Sequence, residues 1–138
     1  MADAKASRVR ERPLSPHLMN YRLTMTMLMS GVHRITGMAL YVGTLLMTWW
    51  LIAAASGPNA YARVQWFIGS PIGRLVLFGY TWALIHHMFG GVRYLIWDVG
   101  RGFGPNEREW LVLLGLVGSI VTTIVLWVIG YAVMGSAR

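Results

Sequence analysis

The sequence predicts an all-α membrane protein with three transmembrane helices behind a short N-terminal cytoplasmic segment. Three observations carry that expectation. Of the 138 residues, 56% are hydrophobic and only 12% are charged, about half the charged share of a soluble domain. Three long apolar runs follow one another, Ile35–Ala55, Leu75–Trp97 and Trp110–Met134. None alternates polar and apolar residues as a membrane-barrel strand does, so helices are the structure that satisfies their backbone in lipid.

Taken in order, residues 1–28 form the N-terminal cytoplasmic or interfacial segment. The opening "MADAKASRVRER" is polar and mostly basic and lacks the apolar centre of a signal peptide. Asp3 and Glu11 count against a transit peptide, which is normally poor in acids. Pro13 and Pro16 stiffen the next stretch, which reads as an extended segment suited to lie against a soluble partner. Residues 29–138 form one membrane domain without internal repeat. Ile35–Ala55 holds no charge and at 1.5 Å per residue is about 30 Å long, enough to cross the hydrocarbon core. Gly57, Pro58 and Asn59 then break the run. After Leu75–Trp97, the glycine- and charge-rich "DVGRGFGPNERE" reads as a tight connection to the last run, Trp110–Met134. Tyr61, Trp66, Trp97 and Trp110 stand near span ends, where interfacial aromatics are common.

Charge sets the orientation. Lys5, Arg8, Arg10, Arg12, Arg22 and Arg34 precede or open the first span, and Arg93, Arg101 and Arg108 frame the connection between spans two and three. The connection between spans one and two holds only Arg63 and Arg74, and the C-terminus only Arg138. The positive-inside rule therefore puts the N-terminus and the second connection on the cytoplasmic or equivalent side. The net charge of +7 is topological on this reading. The basic residues form no patch with interleaved aromatics, so no nucleic-acid partner is expected. The chain has no cysteine, which excludes disulfides, thiolate zinc sites and iron–sulfur clusters held by this chain alone.

The second span is unusual in its polar content. Its stretch Ile85–Asp98, "IHHMFGGVRYLIWD", places two histidines, an arginine and an aspartate in or beside an apolar helix. Such groups are costly unless they face protein, water or a cofactor. Adjacent helical residues project about 100° apart, so His86 and His87 do not both ligate one metal ion. One of them faces a different helix or a polar contact. A single membrane histidine often does no more than bond across helices, but three features point further. Gly90 and Gly91 remove bulk one turn after His87, so that a flat macrocycle or a neighbouring helix can come close. Arg93 lies six residues on, about 9 Å nearer the cytoplasm, a suitable reach for the propionates of a haem whose iron is near His87. His33 and Arg34 end the first span on the same side. The remaining histidine, His17, lies in the N-terminal segment, so a bis-histidine haem needs its second ligand from another chain.

Three segments in order, "RPLSPHLMNY" (residues 12–21), "SGVHRITG" (residues 30–37) and "HMFGGVRYLIWDVGRG" (residues 87–102), together with a hydrophobic layout that covers essentially the full chain, resemble the cytochrome b membrane-anchor family of succinate dehydrogenase, respiratory complex II. The resemblance implies a subunit that helps pass electrons from succinate to ubiquinone. It implies haem b, with His87 as axial ligand and His33, Arg34 and Arg93 in the propionate region, and a quinone site that includes Ser30 and Arg34. It also implies three partners besides the lipid bilayer: a second membrane-anchor subunit supplying the other haem ligand, an iron–sulfur subunit, and a flavoprotein subunit that oxidises succinate. The expected location is the bacterial inner membrane rather than the mitochondrial one. Where the family usually has histidine after the arginine of its third segment, this chain has Tyr94, which hydrogen-bonds but does not titrate near neutral pH. Asp98 matches the aspartate ending that segment; it reads equally as a partner of Arg93 or Arg101 or as a cap of the connection. An anchor subunit of quinol:fumarate reductase, with the reverse direction, and a haem-free structural anchor are the alternatives.

Overall fold

A computed structural model describes residues 22–136; the expectations for Pro13, Pro16 and His17 lie outside them. The described chain forms four helices, α1 (Met25–Ser56), α2 (Pro58–Gly69), α3 (Pro71–Asp98) and α4 (Pro105–Ser136). Three of them, α1, α3 and α4, are long and apolar enough to cross a membrane. Each exceeds its apolar run. The 32 residues of α1 and of α4 extend about 48 Å, past the roughly 30 Å of hydrocarbon. α1 begins at Met25, with the Thr24 hydroxyl accepting the Met27 N–H at 3.4 Å, so that Ser30, His33 and Arg34 all stand on the helix.

The connection between the first two spans is not simply a loop. Gly57 ends α1 at φ 111°, and Pro58 opens α2 at the first helical position, where its missing N–H costs nothing. α2 has 12 residues, too few to span. It packs back on its neighbours through the fully buried Val64 and through ring contacts of Phe67 with Trp49 (5.7 Å) and Tyr61 with Trp50 (6.4 Å). Ser70 then serves two helices. Its hydroxyl donates to the Phe67 carbonyl at 2.6 Å and accepts the Gly73 N–H at 3.0 Å. The second connection is as tight as expected. Gly100 and Gly102 take φ values of 75° and 80°, which side chains adopt only with strain. Trp97 Nε1 donates to the Gly102 carbonyl at 3.2 Å, and Glu107 accepts the Gly104 N–H at 3.1 Å in front of α4. Trp97, read from sequence as an interfacial anchor, thus braces this turn.

Within the spans several hydroxyls turn back onto the helix backbone. Those of Thr36, Thr44, Thr48, Thr81, Ser119 and Thr123 donate to carbonyls three or four residues earlier, at 2.6–2.9 Å. No polar atom of these side chains then faces lipid without a partner, and the backbone ladder stays intact.

α3 packs against both other spans, each antiparallel to it. Against α1 the packing is of rings into glycines. His33 lies against Gly90, His87 against Gly37, and Tyr80 against Gly43. The three pairs descend the interface in a constant register. Against α4, Phe89 packs on Gly118, His86 reaches Ser119, and Phe78 meets Trp127 at 5.3 Å between ring centres. Most large apolar side chains elsewhere on the spans are exposed, as surfaces meant for lipid or other subunits are.

A methyl group at Gly43 would clash with the Tyr80 ring, whereas one at Gly79 meets nothing within 4 Å. Overpacking of that kind costs about 1–3 kcal/mol, while alanine is otherwise the better helix former by about 1 kcal/mol. Gly43→Ala is therefore expected to lower the thermal midpoint of the detergent-solubilised protein and Gly79→Ala to leave it unchanged or raise it. Equal effects of the two would show that the ring-into-glycine contact does not hold α1 to α3.

Candidate functional site

The two adjacent histidines of α3 face different helices. His86 turns toward α4. It is 5% exposed, its Nδ1 lies 3.2 Å from the Ser119 hydroxyl, and its ring stacks beside Trp82 at 5.3 Å. Because Ser119 already donates to the Leu116 carbonyl at 2.8 Å, its oxygen is left to accept from His86. His86 is thus the cross-helix hydrogen-bonding histidine that membrane helices use to hold together.

His87 turns toward α1 and enters a small cluster there. Its ring stacks on His33 with centres 3.9 Å apart and planes 22° from parallel. Its Nδ1 lies 3.5 Å from the hydroxyl of Thr36. The space for the rings comes from missing side chains. A Cβ on Gly37 would approach His87 Cε1 to 3.2 Å, and one on Gly90 would approach His33 Nδ1 to 2.8 Å. Gly90, expected to admit a macrocycle or a helix, here admits the His33 ring of α1. Gly91 meets nothing within 4 Å. Sequence spacing placed His33 near the membrane surface. The stack brings its ring level with His87, because α1 runs unbroken through it and Gly90 leaves room.

From this pair a line of aromatic rings leads toward the second connection. Tyr94 is 5.4 Å from His33, Trp97 is 5.4 Å from Tyr94, and Phe103 is 6.2 Å from Trp97. Arg93 is 7% exposed, and its guanidinium lies 5.6 Å from the Tyr94 ring centre and 5.3 Å from that of Trp97. Aromatic faces thus partly offset the cost of a buried cation. Its Nε has no hydrogen-bond partner among the described residues, and neither has Nδ1 of His33. Asp98, the last residue of α3, is exposed.

Ser30 and Arg34 stand one position round the helix from the stripe of Met29, His33 and Thr36 that faces α3. Ser30 is half-buried and Arg34 exposed, and their spacing of four puts them on one face. They border the ring cluster rather than join it. Unlike the inward-turned hydroxyls of Thr36 or Ser119, that of Ser30 forms no hydrogen bond among the described residues. Sequence reasoning missed Thr36, Gly37 and Ser119. Thr36 and Gly37 follow His33 at three and four residues, the spacing of one helix face, and so were within reach. Ser119 was not, since nothing in a sequence fixes the register of α3 on α4.

The comparisons with known proteins agree with this architecture. Residues 8–127 match the family described as the succinate dehydrogenase/fumarate reductase transmembrane subunit. The chain is 41% identical to the succinate dehydrogenase cytochrome b556 subunit of Paracoccus denitrificans over 113 residues, 82% of this chain and 87% of that one. It is 35% identical to the protein of the same name from Rickettsia felis over 131 residues, 93% of this chain and all of that one. It is also 35% identical to the mitochondrial succinate dehydrogenase cytochrome b560 subunit of Sus scrofa over 127 residues, 89% of this chain and 71% of that one. With the family match spanning residues 8–127 and relatives at 41% and 35% identity over most of the chain, the chain belongs to the succinate dehydrogenase/fumarate reductase transmembrane subunit family.

Proposed function

We propose that this chain is the cytochrome b membrane anchor of a succinate:ubiquinone oxidoreductase, that it supplies one axial ligand to a haem b through His87, and that it forms part of the quinone site through Ser30 and Arg34. The observation that carries the haem reading is the divergence of the two histidines. His86 is occupied by Ser119 on α4. His87 meets Thr36 through Nδ1, and its Nε2 makes no hydrogen bond among the described residues. Imidazole nitrogen is the usual protein donor to such an iron. The buried nitrogens without partners, His33 Nδ1 and Arg93 Nε, are suited to hold carboxylates, and haem carries two. When bound, the haem takes up and passes on single electrons.

His33 is not the second ligand. It lies side by side with His87, stacked at 3.9 Å, and so would stand beside a haem held by His87, near its carboxylates, rather than complete its ligand set. The other ligand comes from a second membrane-anchor subunit. The chain has no cysteine, so the clusters that bring electrons to the membrane belong to an iron–sulfur subunit, and succinate is oxidised on a flavoprotein subunit. The relatives' names favour this direction over fumarate reduction. Among the described residues Arg22, Arg34, Arg93, Arg101 and Arg108 gather at one end of the bundle, against Arg63 and Arg74 at the other. The first end faces the cytoplasm, and the Paracoccus and Rickettsia relatives support a bacterial inner membrane. The soluble subunits dock at that end. There Ser30 donates a hydrogen bond to a quinone oxygen, and Arg34 stabilises the negative charge that develops on the quinone oxygens as electrons arrive.

Two tests follow from these assignments. His87→Ala is expected to remove the haem from the assembled complex, and His86→Ala to weaken α3–α4 packing while retaining it. Haem per flavin in purified complex decides, and the opposite pattern would sink the assignment. Ser30→Ala and Arg34→Leu are expected to lower quinone reduction by ~10-fold or more, the scale of one hydrogen bond to a charged group. Succinate oxidation by an acceptor that draws electrons upstream should be unaffected. Arg34→Lys keeps the charge but loses the guanidinium fork, and an intermediate ratio of the two activities is expected for it. An unchanged ratio in all three variants at limiting quinone would place the quinone site elsewhere.

A further inference from the structure

We propose that Thr36 is a positioning residue for His87: its hydroxyl oxygen accepts the Nδ1 proton and so holds the imidazole in the tautomer whose Nε2 lone pair is free for iron. The inference rests on the reading of His87 as haem ligand and concerns how the ring is prepared for that role.

The argument is one of proton counting in a dry place. Thr36 is 2% exposed. Its hydroxyl has one proton and two lone pairs, and the proton goes to the His33 carbonyl at 2.9 Å. Only a lone pair remains toward His87 Nδ1, 3.5 Å away. Nδ1 must therefore bring the proton, because two lone pairs facing one another would repel with no water to separate them. A neutral imidazole carries one N–H, so Nε2 is bare. The distance lies at the long end of the hydrogen-bond range, and the contact acts by selecting one tautomer and one ring rotation more than by its strength. Its neighbours restrict the ring further. His33 covers one face, and the backbone of Gly37 lies against the Cε1 edge. Threonine suits the position because branching at Cβ leaves its hydroxyl few rotamers.

The partner of a ligand's second nitrogen also tunes the metal. An acceptor on Nδ1–H makes Nε2 a stronger donor, which favours the ferric state and lowers the midpoint potential. The test compares purified complexes carrying Thr36→Val, which keeps the shape without the hydroxyl, Thr36→Ala, which removes it with less bulk, and Thr36→Ser, which retains it. The readouts are the potentiometric midpoint of the b-type haem and the low-spin electron paramagnetic resonance spectrum of its oxidised form, which reports ligand-ring orientation. Val and Ala are expected to raise the midpoint and shift the largest g value, and Ser to match the unaltered protein in both. Where Val does not assemble, Ala carries the same comparison. Wild-type potential and g values in the variants without a hydroxyl would overturn the role of Thr36 while leaving His87 as ligand. An unaltered complex without any low-spin b-type signal would overturn the haem reading and this inference together.

Discussion

The arrangement on which the rest depends is the reciprocal insertion of rings into glycines between α1 and α3. In lipid two helices gain nothing by hiding apolar surface from one another, since hydrocarbon is as apolar as leucine; close contact and hydrogen bonds must hold them. Here each helix offers rings where the other has no side chain. His33 of α1 fits Gly90 of α3, and His87 and Tyr80 of α3 fit Gly37 and Gly43 of α1. A slide by one turn would drive every ring against an occupied position. The same register brings Thr36 to His87 and leaves Ser30 and Arg34 on the rim of the interface. The site is a consequence of how the helices lock.

A second constraint explains why two histidines stand next to each other. Neighbouring positions on a helix point to different sides, so a central span with helices on both sides can give one histidine to each. His86 fastens α4 by Ser119, and that bond fixes α3 in rotation about its own axis. The rotation in turn aims His87 at α1. On the proposed reading, a structural histidine and the candidate haem ligand are coupled through the stiffness of one turn of helix.

Much of this was legible in the sequence, and the parts that were not share a physical cause. The spans, the tight second connection and the opposed directions of His86 and His87 follow from hydropathy, turn residues and the 3.6-residue period, all local properties. α2 escaped because its 12 residues are too short and too mixed to stand out beside the spans, and Gly57 and Pro58 signal a break without saying that a helix resumes after it. The nearness of His33 to His87, the Thr36 contact and the His86–Ser119 bond depend on register between helices, set by packing over the whole interface. The glycines at 37, 43 and 90 were visible, but which ring each admits was not.

The unpaired nitrogens of the cluster give its energetics a direction. A polar atom without a partner in hydrocarbon costs several kcal/mol, and His33 Nδ1 and Arg93 Nε are buried in this condition among the described residues. Arg93 offers only donors, so its Nε is matched by an acceptor, and His33 accommodates one. Among the described residues no carboxylate reaches them: Asp98, Glu107 and Glu109 are all exposed, and Glu107 accepts the Gly104 N–H at the start of α4. With haem bound as proposed, its carboxylates bring acceptor oxygens to the α1–α3 cluster. Whatever supplies them binds the folded bundle and not the unfolded chain, and so stabilises it by mass action. On the proposed reading, haem uptake, docking of the second anchor and closure of this interface draw on one free energy, and a defect in any of the three weakens the other two.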